Sequence, residues 1–222
     1  MAQLSRKYIK FFKELAANNE REWFHANKKR YEEEVKAPFE ALVQDVIDRM
    51  KKIDPEVQVT PKECTFRIYR DTRFSKDKTP YKTYMAAAIG KNGKSHTGKP
   101  GIYFQVGPEK LEIAGGCWQP EKDLLTKIRR AIIADPKRVN RILNGKKFKE
   151  TFGELGGDKN KILPKEFKPY AEEIPLLFNK SYHYWASYKG QKYLLADDIA
   201  KFIVDHYKIA GKWNEFLTEV ME

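Results

Sequence analysis

The chain has 222 residues, 41% hydrophobic and 13% aromatic, enough apolar material to bury a sizeable core, while 33% of it is charged. Two cysteines exclude a disulfide framework, and the sequence holds no apolar run of the length needed for a membrane helix or a secretory signal, so a cytoplasmic protein is expected. The net charge of +12 is uneven: basic residues exceed acidic ones by 1 over residues 1–60, by 7 over 61–110 and by 4 over 111–222, and an excess of this kind attracts phosphates, nucleic acid or acidic partners.

Tyr8, Phe11, Phe12 and Leu15, with Leu4 before them, recur at helical spacing and predict a first helix that ends at Asn18-Asn19. Asn19 then suits the N-cap of a second helix, with Glu22 completing a capping box. Phe24, Tyr31 and Val35 continue the helical stripe, and Pro38 predicts a kink or restart, since it cannot donate a backbone hydrogen bond. Leu42, Val43, Val46, Ile47 and Met50 form the next apolar face, and Asp54-Pro55 stops it.

The period then changes. Thr65 to Arg70 alternates as a strand does, Thr83 to Ile89 is a second candidate, and Ile102–Val106 with Leu111–Ala114 flank a turn at Gly107-Pro108-Glu109-Lys110. Residues 90–101, with four glycines and three lysines, read as an exposed, mobile connection. Pro120 opens a helix with Leu124, Leu125, Ile128 and Ile132 on its apolar side, and a shorter helix follows Asp135-Pro136. Tyr182, Tyr184, Ala186 and Tyr188 alternate in one late strand, and the chain ends helical through Ile199 to Val220. This order predicts a single α+β domain over 1–222: helical over 1–54, core strands over 61–118, helices with one late strand over 119–222. Its sheet is expected to hold four to five mostly antiparallel strands with one face covered.

Three strings, "NNEREWF" at 18–24, "FRIYRDTRFSKDKTPYKT" at 66–83 and "GGCWQP" at 115–120, stand in an order and spacing that resembles the bacterial and fungal family called domain of unknown function 2461. The resemblance covers most of the chain. It implies a shared fold and transfers no activity, cofactor or catalytic residue.

The middle string supplies the candidate site. Arg67, Arg70, Arg73, Lys76, Lys78 and Lys82 stand among only two acids, Asp71 and Asp77. Guanidinium forks and ammonium groups suit phosphate or carboxylate, so the first reading is a phosphorylated or otherwise anionic small ligand held by these eight residues. In the structural alternative Asp71 and Asp77 neutralise arginines, acids such as Glu20 or Glu22 join them, and Phe74 and Tyr81 pin the loop. As paired carboxylates, Asp71 and Asp77 are also the candidates for a general base, although nearby cations lower their pKa values and no set of oxygen ligands accompanies them for a metal. A nucleic-acid surface joining the basic middle to Tyr182, Tyr184, Trp185, Tyr188 and Tyr193 is the other alternative.

Other motifs carry less. Gly93-Lys94-Ser95 lacks the first glycine of a P-loop, since position 88 is alanine. Gly115-Gly116 before a helix can present N–H groups to an anion or simply relieve a tight turn. His25, His96, His183 and His206 have no metal-ligand spacing, no G-x-S-x-G elbow occurs, and Cys64 and Cys117 read as buried free thiols. Metal ligands are therefore not expected, and cofactor, oligomeric state and enzyme status are not set by the sequence.

Overall fold

Helical periodicity at the N-terminus becomes α1 (Arg6–Ala17), which buries Tyr8, Phe11, Phe12 and Leu15. The computed structural model describes residues 3–95 and 100–222; residues 96–99, within the connection expected to be mobile, lie outside them. α2 (Arg21–Ala26) and α3 (Lys28–Arg30) follow, then a π-helical segment Tyr31–Lys36 that runs into α4 (Ala37–Met50). Pro38 sits in the first turn of α4, where its missing N–H and its ring would break a regular turn. The widened π turn just before it absorbs that mismatch. Asn19 is not the N-cap of α2; Glu20 holds that position without a side-chain bond, and the asparagine is used elsewhere.

After α5 (Pro61–Cys64) the expected strand at 65–70 is present only as two isolated antiparallel bridges, Thr65 to Ala87 and Tyr69 to Tyr81. Between them one limb spends four steps and the other six, so a bulge breaks the ladder. Pro80 removes a further donor beside Arg70, whose own N–H reaches Pro80 O at 2.9 Å. The regular strands are β1 (Met85–Ile89), β2 (Ile102–Val106), β3 (Lys110–Cys117) and β4 (Tyr182–Lys189). They form one open antiparallel sheet in the order β1-β2-β3-β4, flanked by helices, which makes the fold α+β.

The remaining helices are α6 (Lys122–Ala134), α7 (Pro136–Leu143), α8 (Lys146–Phe152), the single-turn α9 (Gln191–Leu194), α10 (Ile199–Ile209) and α11 (Gly211–Met221). Asp135 caps α7 by accepting from Arg138 N–H at 2.9 Å.

The chain forms two compact units. The first takes in the residues up to Ser95 with Tyr103–Ile113 and Ser187–Val204. Its core joins α1, the π segment and α4 to the sheet: Phe39 meets Phe104 at 5.7 Å, and the Tyr8 hydroxyl donates to Val106 O at 2.9 Å. The second takes in Ala114–Ala186 and Asp205–Glu222, with a short stretch ending at Ile102. There the Trp213 indole N–H donates to Tyr182 O at 3.2 Å, and Phe152 packs on Tyr184 at 4.5 Å. At Tyr8 and Trp213 apolar burial comes with a satisfied polar tip, which keeps these large aromatics from stranding a donor in the core.

Candidate functional site

The 67–82 string is a hairpin loop, and its aspartates explain its shape. Asp71 accepts from the Arg73 N–H at 3.2 Å and Asp77 from the Thr79 N–H at 3.0 Å, so each closes an Asx turn on the residue two positions on. The same carboxylates take the arginines. Arg73 grips Asp71 with both arms, Nε at 3.0 Å and Nη2 at 2.7 Å, while Arg70 donates to both Asp77 and the Thr79 hydroxyl. These bonds hold both carboxyl groups at a pKa of about 2, with the arginine partner the largest cause in each case. Neither aspartate is left as a free base.

Asn19 and Tyr81 fix the other limb of the hairpin. The Tyr81 N–H donates to Asn19 Oδ1 at 3.1 Å, Asn19 Nδ2 donates to Tyr81 O at 3.0 Å, and the Tyr81 ring stacks on Phe24 at 4.1 Å. Tyr81 therefore pins the loop as expected. Phe74 does not: its side chain stands 96% exposed at the tip. Among the described residues Glu20 and Glu22 form no ion pair with the loop, so the acids sought from outside it do not arrive.

Two carboxylates thus serve two of the six cations. Arg67 and Lys76 are exposed with no ion pair among the described residues. Lys78 Nζ donates to Thr72 O at 2.9 Å, and Lys82 Nζ to Arg67 O at 3.1 Å. Lys82 lies partly buried, 5.7 Å from the Phe66 ring centroid, and burial, then the Arg67 charge, pushes its pKa down.

A cleft of about 540 Å³ opens against this hairpin. Of the eight residues nominated from the sequence, Arg70, Asp71, Asp77 and Lys82 line it; Arg67, Arg73, Lys76 and Lys78 do not. Asn19, Thr79, Tyr81 and Tyr84 complete most of the wall. Thr79 was legible as the residue two after an aspartate, whereas Asn19 and Tyr84 come from segments that no charge pattern marks.

The remaining motifs resolve structurally. A Cβ on Gly115 would stand 2.1 Å from the Tyr184 hydroxyl, and Gly116, at φ +86°, would place one 2.6 Å from Tyr182 O, so both glycines serve close packing and a tight turn. Cys64 and Cys117 are buried thiols outside any disulfide, and burial raises their pKa values to about 11 and about 12, which leaves them protonated. His183 and His206 are buried, and no cluster of metal-ligating side chains occurs among the described residues. Tyr182 and Tyr184 are fully buried, so these members of the late aromatic run belong to the core and present no stacking surface.

Fold and site together define an α+β protein with a basic hairpin loop set over a small polar cleft. The chain belongs to the family described as conserved hypothetical protein (DUF2461), whose profile matches residues 7–216. A comparison with curated proteins found no match. None of the described helices is long and apolar enough to cross a membrane.

Proposed function

We propose that the cleft beside residues 67–82 binds a small phosphorylated or carboxylate-bearing ligand, with Lys82 and Arg70 turned to its anionic group. The observation that carries this reading is the state of Lys82: an ammonium partly buried beside a second cation, bonded to a carbonyl oxygen and near the Phe66 ring, with no carboxylate partner among the described residues. Such a group lowers stability until an anion arrives, because desolvation and like charge both disfavour its charged form. Arg70 supports it from an arranged position, since its bonds to Asp77 and Thr79 fix the guanidinium before any ligand enters. Thr79 and Tyr84 give the wall polar groups for orientation.

Calorimetric titration with inorganic phosphate, pyrophosphate and a panel of phosphorylated metabolites tests the reading. The parent is expected to bind one equivalent of at least one of them. Lys82→Met is expected to abolish that binding while leaving the melting temperature of the free protein unchanged or higher. Lys82→Met that binds as the parent does, or melts far below it, makes the lysine a brace and overturns the proposal. The bracing reading has its own support at Arg70 and Arg73, whose ion pairs close the loop.

A further inference from the structure

The tip of the hairpin carries a feature that an anion cleft does not need. Phe74 is 96% exposed, far beyond any other large apolar side chain in its own unit, and nothing in the core requires it. The tip beneath it is tied shut: Thr72 O accepts from the Ser75 N–H at 3.4 Å and from Lys78 Nζ at 2.9 Å, and Arg73 is clamped on Asp71. Arg73 also places its guanidinium 5.8 Å from the Phe74 ring centroid. The turn that bears the ring is therefore tied, and the ring stands clear of the core. The same loop carries Arg67, Lys76 and Lys78, all exposed and none paired with a carboxylate among the described residues, and Tyr69, half-exposed on the limb that bears Arg67.

We propose that this tip is a binding surface for single-stranded nucleic acid, in which Phe74 stacks on an unpaired base and Arg67, Lys76 and Lys78 contact the flanking phosphates. The chemistry of the tip fits that partner in two ways. Aromatic and cationic side chains interleave along 67–78, as bases and phosphates interleave along a single strand. A guanidinium beside the ring also offers a base a second partner, through its own cation–π attraction. A duplex fits poorly, because its bases are already stacked on one another. An anionic membrane fits poorly as well: Phe74 cannot enter hydrocarbon without drawing in the neighbouring Arg73 and the ionised Asp71 paired to it. The surface does not depend on the cleft, since neither Phe74, Lys76 nor Lys78 lines it.

Fluorescence anisotropy with labelled oligothymidylate and oligouridylate, at low and at raised salt, tests the proposal in the full chain. Phe74→Ala is expected to weaken binding about 5- to 150-fold, the range that one lost stack implies, and Phe74→Trp to keep it. Because Phe74 contributes nothing to the core, its alanine variant is expected to melt as the parent does, so a loss of binding is not a loss of fold. Replacing Arg67, Lys76 and Lys78 together by glutamine is expected to flatten the salt dependence by about 2 in the logarithmic slope. No binding at low salt, equal binding by parent and Phe74→Ala, or equal affinity for a duplex of the same sequence overturns the proposal. So does Phe74-dependent binding to phosphatidylserine vesicles without oligonucleotide binding, which would make the partner a lipid surface. Phosphate titration of Phe74→Ala separates this surface from the cleft, because cleft binding is expected to survive that substitution.

Discussion

Asp71 and Asp77 share one design at the residue scale: each closes a two-residue turn through its backbone neighbour and holds an arginine with the same carboxylate. Both pKa values are depressed to about 2, below the value near 3.9 of an unfolded aspartate. A depressed folded pKa contributes stability that is complete above about 4 and is lost as pH falls through about 2. Both groups are exposed, so that contribution is shallow and the titration itself is the better readout. Carboxyl carbon shifts followed by NMR from pH 6 downward are expected to give midpoints near 2 for both aspartates. In Arg70→Ala the Asp77 midpoint is expected to return toward about 3.9 while that of Asp71 stays put. Midpoints near the unfolded value in the parent would show that the loop is not closed by its ion pairs. Lys82 runs the opposite way: its folded pKa is lowered, so its ammonium costs stability below that pKa, and the cost is relieved as pH rises past it.

At the scale of elements, the hairpin is tied to the junction of α1 and α2 by the hydrogen bonds of Asn19, beside the stacking of Tyr81 on Phe24. Asn19 satisfies both backbone groups of Tyr81, at 3.0 and 3.1 Å, on the outward edge of a bridge where no neighbouring strand reaches them. Asn19→Ala strands a part-buried donor and acceptor, and urea denaturation is expected to show a loss of about 1–3 kcal/mol. An unchanged midpoint would show that water replaces the asparagine at no cost. Asn19 also marks the boundary of what the sequence made legible. Its type and place before an acidic pair fit an N-cap, and only the tertiary contact with Tyr81 competes with that role. The helices were legible because a stripe such as Tyr8, Phe11, Phe12 and Leu15 records burial on one face. The β2–β3 hairpin was legible because Gly107 and Pro108 leave few other conformations. The strand at 65–70 was legible in pattern but not in pairing, since a bulge depends on the register of a partner limb that local alternation does not encode. The cleft was half legible: charge density named Arg70, Asp71, Asp77 and Lys82, while Tyr84 and Asn19 reach it through topology.

The whole molecule carries a net charge of +12, and its effect on partners depends on where the charge is left unpaired. Some cations elsewhere in the chain are spent on neighbours, among them Arg30 on Glu14 at 2.8 Å, Arg49 on Asp45 at 2.8 Å, and Arg138 on Glu219 through both arms. In the 67–82 loop four of six have no carboxylate partner among the described residues, and they lie within sixteen positions. The protein is therefore expected to meet an anionic surface loop first, with an orientation set by this patch rather than by total charge. Cation-exchange chromatography checks the idea. Changing Arg67, Lys76 and Lys78 to glutamine is expected to lower the eluting salt concentration clearly more than the same change at Arg30, Arg49 and Arg138, although both variants lose three charges. The loop variant is also expected to keep its melting temperature, because exposed side chains without ion partners contribute within about 0.5 kcal/mol. The other variant is expected to melt lower, because each of its substitutions leaves a carboxylate unpaired. Equal elution of the two variants would mean that net charge alone governs the approach, and the basic hairpin would then have no long-range part in bringing a ligand to the cleft.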